Sequence, residues 1–177
     1  MTSLPDRPAA PTVLQPAPQI DVAAGTQRVR VGSPVGGLEI EATSDAIIAV
    51  RWVDDTADAV AASGLLAEAR QQLVAYFAGR LKVFDLPLAP AGSPFERDIW
   101  RLMCDIPYGQ TMTYGEMADA VGGVARAVGT ACGSNPIPLI IPCHRVLGAG
   151  NRMVGYSGRG SVETKRWLLV HEGKLLL

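Results

Sequence analysis

The sequence predicts an α+β protein in which a small antiparallel sheet with one helix is followed by a helical half. Three observations carry this prediction. Short segments rich in β-branched residues alternate with turn residues over 27–53. From Ser93 onward the apolar residues instead recur at helical spacing. Two Ser/Thr-x-x-Glu capping boxes, at Ser93 and Thr113, mark helix starts in that second half.

The 177-residue chain is long enough for one domain or two small ones with a real core. We divide it into a Pro/Ala-rich extension (1–26), an N-terminal α/β domain with its linker (27–90) and a C-terminal domain (91–177). The extension holds five prolines and few large apolar groups, so we expect it to be disordered. It lacks the apolar stretch of a signal peptide, and no run of the chain is long enough to span a bilayer. We therefore expect a cytoplasmic protein without membrane contact.

In the N-terminal half, β-branched enrichment and partial alternation predict an antiparallel sheet. Its strands are Gln27–Val31, Gly37–Thr43 and Ala46–Val53. Apolar residues then recur at helical spacing from Leu65 to Phe77, and Gly79 closes that helix. The prolines and glycine of 84–92 indicate a linker.

Four helices are predicted in the C-terminal half. The first begins at Ser93 with Pro94 at its first position. We expect it to bury four apolar residues: Phe95, Ile99, Leu102 and Met103. The second runs from Thr113 to the Gly122-Gly123 pair, and the third, about Val124–Cys132, follows at once. The last spans 161–172 and turns an apolar face inward: Val162, Trp167, Leu168 and Leu169.

The second and third of these helices have the outline of a helix-turn-helix. In such a unit the second helix enters a groove of DNA, and Arg126 would lie on its first turn. The alternative is a plain αα-hairpin inside a helical domain, and the pattern alone favours that alternative.

Charge is distributed unevenly along the chain. Residues 1–100 hold 8 basic and 12 acidic side chains, whereas residues 101–177 hold 8 basic and 5 acidic ones. No acidic residue lies between Ala120 and Val162, a stretch that contains Arg126, Arg145, Arg152 and Arg159. A local cationic face is typical of a phosphate-binding surface, although a chance gap in acidic residues gives the same pattern.

The chemistry is concentrated in Ile141-Pro142-Cys143-His144-Arg145-Val146, which sets a thiol beside an imidazole and a cation. A thiol attacks as thiolate, and a neighbouring His or Arg favours that form. The apolar run Leu139–Ile141 should drive Cys143 into the interior, at the base of a pocket. Cys104 and Cys132 lie on predicted helices and are interpreted as small buried hydrophobes. The odd cysteine count without a CxxC pair favours reduced thiols, and no metal-ligand spacing occurs.

Together these motifs resemble the O6-alkylguanine-DNA alkyltransferases, the methylated-DNA–protein-cysteine methyltransferases that repair guanine. The resemblance covers about Val31 to the C-terminus and implies an RNase H-like N-terminal fold. Its carriers, in order, are Ile106-Pro107-Tyr108-Gly109, Thr113-Tyr114-Gly115, Arg126-Ala127-Val128-Gly129, Asn135-Pro136-Ile137-Pro138, Ile141-Pro142-Cys143-His144-Arg145-Val146, Gly155-Tyr156-Ser157-Gly158 and Trp167-Leu168-Leu169 with Glu172-Gly173.

The resemblance implies direct-reversal DNA repair, in which Cys143 accepts the alkyl group from guanine O6 and also from thymine O4. His144 would act as a base through a water, and Glu172 would orient the imidazole. Tyr114 would donate a hydrogen bond to the leaving guanine oxygen. The thioether product is stable and no cofactor resets it, so we expect a single turnover.

The resemblance also implies how DNA is held. The lesion would be flipped out of the stack, and Arg126 would fill the space it leaves as the helix-turn-helix enters the minor groove. Further DNA contacts would come from Thr113, Tyr114, Ala127 and Gly129. The alkyl pocket would be lined by Val146, Tyr156, Ser157, Gly158 and Arg159. Asn135 is expected to bridge the third helix to the cysteine loop. We expect duplex DNA as the partner of a monomer, with cooperative assembly on DNA left open, and neither cofactor nor metal.

Two other functions fit parts of the pattern. A sensor would bind alkylguanine without repairing it, but related sensors replace the cysteine that is present here as Cys143. A cysteine hydrolase would use Cys143, His144 and Glu172, but adjacent Cys and His side chains rarely bond directly. One departure from the family is the stretch Gly158–Lys165, which is longer than usual and leaves the adduct size preference open.

Overall fold

The computed structural model describes residues 25–54, 62–155 and 162–175. It confirms the α+β class, because a three-stranded antiparallel sheet with one helix precedes a helical half. The predicted N-terminal extension lies outside the described residues, apart from Gly25 and Thr26.

The sheet has the order β1-β2-β3 and is antiparallel throughout. Its strands are β1 (Gln27–Val31), β2 (Gly37–Ala42) and β3 (Ile47–Val53), within one residue of the predicted bounds. Helix α1 (Gly64–Phe77) packs against β1 and β2. Its buried stripe is Leu66, Ala69, Leu73 and Tyr76, which repeats at the helical period.

The segment 84–92, predicted as a linker, is partly buried. Phe84, Leu86 and Leu88 are buried in the core, with every second side chain pointing inward. The segment runs along β3, where Ile47 N donates to Pro87 O and Ala89 N donates to Ile47 O, both at 2.9 Å. Prolines prevent a regular strand there but do not prevent an extended segment from burying alternate side chains.

The second half contains α2 (Pro94–Cys104), α3 (Tyr114–Val121), α4 (Ala125–Gly133) and α5 (Val162–His171). Both predicted capping boxes are present, with each N-cap hydroxyl accepting from the backbone N–H of the glutamate three residues on. Gly122 closes α3 in the left-handed region at φ +65°. The predicted start of α5 at Ser161 lies outside the described residues.

The prediction that α2 buries Phe95 is wrong, since that side chain is 38% exposed. The buried face of α2 is formed by Ile99, Trp100 and Met103, and the indole of Trp100 donates to Ala131 O of α4 at 2.7 Å. Phe95 lies on the first turn, one turn before Ile99 and outside the buried stretch, and its ring lies beside exposed Gly123.

A two-residue parallel ladder ties the start of α3 to the segment after the cysteine. Strand β4 (Met112–Thr113) pairs with β5 (Val146–Leu147), with Met112 opposite Val146 and Thr113 opposite Leu147. One continuous core then extends from the sheet through α2, α4 and the cysteine segment to α5. Among the described helices, none has the length and apolar character needed to cross a membrane.

Candidate active site

Cys143 lies at the start of a single 3-10 turn, Cys143–Arg145, and is 4% exposed. The apolar run before it is buried, as predicted, and folds into a tight turn in which Ile141 N donates to Ile137 O at 2.9 Å. Leu139 sits in that turn at φ +75°, a conformation that costs a leucine about 1–2 kcal/mol. The turn delivers the thiol into the core rather than to the surface.

Asn135 follows α4 and is buried. Its side-chain amide donates to Ile141 O at 2.9 Å, and its carbonyl oxygen accepts from Ile137 N at 3.0 Å. Both partners belong to the turn that precedes Cys143. Asn135 therefore links the end of α4 to the cysteine segment through backbone groups.

His144 and Glu172 are in direct contact, with Nε2 and Oε1 2.8 Å apart and both side chains fully buried. Burial lowers the pKa of His144, although Glu172 acts in the opposite sense. We therefore take the imidazole as neutral, with its Nε2–H donating to the carboxylate. The other ring nitrogen, Nδ1, is buried and has no hydrogen-bond partner among the described residues. It is thus left as a basic lone pair.

Glu172 is the centre of a larger network. Arg145 donates from Nε to Oε2 at 2.9 Å and from Nη2 to Oε1 at 3.0 Å. Gly109 N donates to Oε2 at 3.2 Å, and the Tyr76 hydroxyl donates to Oε1 at 2.8 Å. Burial by itself would raise the pKa of Glu172, but its contacts with His144 and Arg145 hold it well below the usual range. The carboxylate is therefore ionised and satisfied on both oxygens.

The guanidinium of Arg145 is directed at this carboxylate and not at the thiol. Its Nη1 donates to Ile106 O at 2.7 Å, and the group lies 5.9 Å from the ring centre of Tyr108. The sequence suggested that Arg145 acts as a cation beside Cys143. The structure instead makes it the counter-ion of Glu172, so this network pairs one cation with one anion beside a neutral imidazole.

Lys165 is a second buried cation, on the inner face of α5 and 0% exposed. Its ammonium donates to three backbone carbonyls: Val146 O at 2.6 Å, Val154 O at 3.1 Å and Gly155 O at 3.2 Å. These bonds use all three of its protons. Burial lowers the pKa of Lys165, while nearby Cys143 and Cys132 act in the opposite sense. Lys165 thus holds β5 and the backbone at Val154 and Gly155 against α5.

Tyr114 is the first residue of α3 and directly follows strand β4, which pairs with β5. Burial raises its pKa to about 12, with smaller effects of Cys132 and Cys143. The phenol therefore carries its proton at neutral pH and can donate a hydrogen bond. Thr113, predicted to contact DNA, uses its hydroxyl to cap α3 through Glu116.

Helix α4 presents its first turn to solvent. Arg126 is exposed there, whereas Ala127 and Gly129 are half-buried and Val128 is fully buried. Ala127 and Gly129 have short side chains or none, so little projects from the helix backbone beside Arg126. Val128 packs into the core and anchors the helix there. Val124, the uncapped N-cap of α4, is 66% exposed, a feature that the sequence did not predict.

Of the predicted pocket residues, Tyr156, Ser157, Gly158 and Arg159 lie outside the described residues. Val146 is described and fully buried. Its carbonyl accepts from Lys165, and the Cys143 carbonyl accepts from Val146 N. A carbonyl oxygen has two lone pairs, so Val146 O can accept from a further donor beside Lys165.

Sequence reasoning missed Tyr76, Gly109 and the buried position of Lys165. One signal for Lys165 was available, because it lies three and four positions before Leu168 and Leu169 on the apolar face of α5. His171, for which the sequence indicates no role, has its Nε2 2.8 Å from Tyr76 O, and its ring stacks on Trp167. Tyr76 falls within the predicted helix Leu65–Phe77, but nothing local indicates a partner for its hydroxyl.

Two family models match the chain. The one described as "6-O-methylguanine DNA methyltransferase, ribonuclease-like domain" matches residues 31–90. The one described as "6-O-methylguanine DNA methyltransferase, DNA binding domain" matches residues 94–174, which include α2 to α5 and the buried network.

Individual proteins are similar over much of the same range. The methylated-DNA–protein-cysteine methyltransferase of Shigella flexneri is 53% identical over 105 residues, which are 58% of this chain and 60% of that protein. The chain thus spans less than two thirds of that relative. The protein of the same name from Mycolicibacterium paratuberculosis is 42% identical over 149 residues, 80% of this chain and 89% of that protein. The crystal structure of Mycobacterium tuberculosis OGT in complex with DNA is 40% identical, with a TM-score of 0.72, and the match covers 82% of this chain and 92% of that one.

Proposed function

The chain belongs to the 6-O-methylguanine DNA methyltransferase family, and on that premise we propose that it repairs alkylated DNA by moving the alkyl group from guanine O6 to Cys143. The observation that carries the proposal is the buried contact of His144 with Glu172, which leaves His144 Nδ1 as a base one residue from a buried thiol.

The reaction is a displacement at the alkyl carbon. His144 Nδ1 takes the thiol proton through a bridging water, and Glu172 stabilises the imidazolium that results. The sulfur of Cys143 forms a bond to the alkyl carbon while the carbon–O6 bond breaks, and the electron pair of that bond goes to guanine O6. Tyr114 donates a hydrogen bond to O6, since its phenol, with a pKa raised to about 12, stays protonated at neutral pH. The guanine anion takes a proton from water, and the imidazolium of His144 returns one to the solvent.

The product is a thioether on Cys143 and an unmodified guanine. Nothing in this chemistry regenerates the thiol, so each molecule reacts once. The guanine amino group would donate to the backbone carbonyls of Cys143 and Val146, of which Val146 O is oriented by Lys165. Thymine O4 presents a similar leaving oxygen and is proposed as a second substrate.

On the DNA side, α3 and α4 form the helix-turn-helix, with α4 entering the minor groove. The match to a DNA-binding domain over 94–174 and the DNA complex of the mycobacterial relative favour this role over a plain αα-hairpin. An alkylated guanine inside a duplex cannot reach a thiol that is 4% exposed, so the nucleotide must leave the stack. Arg126, exposed on the first turn of α4, is proposed to occupy the space it leaves.

The test is to incubate the protein with a duplex that carries one O6-methylguanine and to weigh the intact protein. We expect a gain of one methyl group, mapped to Cys143, in a 1:1 ratio with repaired guanine. Cys104→Ala and Cys132→Ala serve as matched controls and should still gain the methyl group, whereas Cys143→Ala should not. Tight binding without any mass gain would indicate a sensor, and multiple turnovers of an ester or peptide would indicate a hydrolase.

A further inference from the structure

Tyr76 extends the catalytic network into the N-terminal half of the chain. It lies in the last turn of α1, 96 residues before Glu172, and its hydroxyl donates to Oε1 at 2.8 Å. The same carboxylate oxygen accepts from His144 Nε2, also at 2.8 Å. Two donors from opposite halves of the molecule therefore share one oxygen atom.

The hydroxyl is held firmly in this position. Tyr76 is 0% exposed, and its ring packs against Phe84, Tyr108 and His171 at centroid distances of 5.3, 6.2 and 5.2 Å. Its backbone carbonyl lies 2.8 Å from His171 Nε2, next in sequence to Glu172. Burial and the Glu172 charge raise the pKa of Tyr76 above its usual value, so the phenol stays a donor at every pH at which the protein works.

We propose that Tyr76 is a positioning residue, through which the N-terminal half sets the basicity of His144 by sharing Glu172 Oε1. The proposal rests on the function proposed above, in which neutral His144 is the base. A carboxylate oxygen that accepts from a phenol has less negative charge to offer an imidazolium. Tyr76 therefore keeps His144 in the neutral form that the reaction requires.

Other charged and titratable groups surround Tyr76 and His144. Arg145 and Lys165 both lower the pKa of His144, and Glu172 opposes them. Around Tyr76 the groups are Glu172, Arg145 and Tyr108, together with the ring of His171. Of these, only Tyr76 and Arg145 share Glu172 Oε1 with His144 within the described residues. Arg145 is also the counter-ion of the carboxylate, so Tyr76 is the partner whose removal changes no charge.

Loss of the Tyr76 hydroxyl should raise the pKa of His144. In Tyr76→Phe more negative charge remains on Glu172 Oε1, and this charge stabilises the imidazolium. The acid limb of the pH–rate profile should then move upward. Because Tyr76 acts on His144 only through the shared oxygen, we expect less than the effect of a direct hydrogen bond to a charged group, about three- to tenfold, or about half a pH unit to one unit.

The experiment measures the second-order rate of Cys143 benzylation by free O6-benzylguanine. The pH runs from about 5.5 to about 9, which covers the range in which an imidazole titrates. Tyr76→Phe should react about three- to tenfold more slowly on the acid side and within about twofold of the wild type on the alkaline side. The ring-nitrogen NMR signals of His144 should titrate at a correspondingly higher pH.

Tyr108→Phe is the matched control, because it removes a hydroxyl from the adjacent ring that donates to His171 O at 3.0 Å and not to Glu172. It should leave the acid limb unshifted. Replacement of Tyr76 by 3-fluorotyrosine keeps the ring and strengthens the donor, so the limb should move to lower pH; this variant applies even if Tyr76→Phe folds poorly.

A rate loss in Tyr76→Phe that is equal at all pH values would overturn the proposal, as would an identical shift in Tyr108→Phe. If the wild type is not benzylated at all, the proposed function fails instead. The His144 NMR titration then still tests the coupling between Tyr76 and His144.

Discussion

Gly109 donates its backbone N–H to Oε2 of Glu172, and a Cβ at Gly109 would lie 2.8 Å from the Glu172 carbonyl oxygen. Gly109 also has φ +75°, in the left-handed region that disfavours a side chain. The turn after α2 and the end of α5 therefore meet with no room for any residue larger than glycine.

Gly109→Ala should be destabilised by about 2 kcal/mol or more, because left-handed strain and a backbone clash add together. It should also react with O6-benzylguanine more slowly, since relief of the clash moves Glu172. Urea denaturation and the benzylation rate measure the two effects. Gly133→Ala is the control: its Cβ meets no atom within 4 Å, and its stability should be unchanged or slightly higher.

The stability of the protein should fall in acid from about pH 6.5 downward. Below the ordinary His pKa of 6.5, His144 is protonated in the unfolded chain. In the folded protein it stays neutral, because burial lowers its pKa. Below 4.5 the unfolded Glu172 is protonated while the folded carboxylate, with a depressed pKa, is not. Both groups lose their contribution as pH falls. Urea midpoints at a series of pH values measure the slope, which should be flatter below pH 4.5 in Glu172→Gln. An unchanged slope in that variant would contradict the assignment.

Lys165→Met should cost about 3 kcal/mol of stability, because three backbone carbonyls lose a charged donor in a site that water does not reach. Hydrogen exchange should increase at Val154 and Gly155, which Lys165 holds against α5. The exposed Lys174 provides the control, and Lys174→Met should change stability by less than about 0.5 kcal/mol. Equal effects of the two substitutions would refute the role of the buried ammonium.

Arg126→Ala should slow repair of O6-methylguanine in duplex DNA by about tenfold or more, as expected for loss of a charged contact. Its reaction with free O6-benzylguanine should be unchanged, since Arg126 lies on α4 and outside the buried network. Arg80→Ala removes the same charge from an exposed site next to α1 and should affect neither substrate. Equal losses on duplex and free base would rule out a role in holding the duplex open.

Features that depend on neighbouring residues were predictable from the sequence. The starts of α2 and α3 are set by Ser93 with Glu96 and Thr113 with Glu116, which interact over three positions, and the structure forms both boxes. The burial of Cys143 followed from the three apolar residues before it. The bond of the Trp100 indole N–H to Ala131 O of α4 was not predictable, because its partner is 31 residues away.

The hydrogen bonds that organise Glu172 were beyond reach for the same reason. Its donors Tyr76, Gly109 and Arg145 are 96, 63 and 27 residues away. Helical periodicity places Tyr76 in the core but carries no information about where its hydroxyl points. Likewise, the prolines of 84–92 excluded a regular strand but left open whether the segment lay inside or outside the core.

The ladder between β4 and β5 has a mechanical consequence. Thr113 lies opposite Leu147, so the first residue of α3 and the turn that carries Cys143 are joined by backbone bonds across one short strand pair. This backbone pairing restrains movement of α3 relative to the turn that carries Cys143. On the proposed function, the DNA is therefore the partner that must deform, and the damaged nucleotide must move out of the stack to reach the thiol.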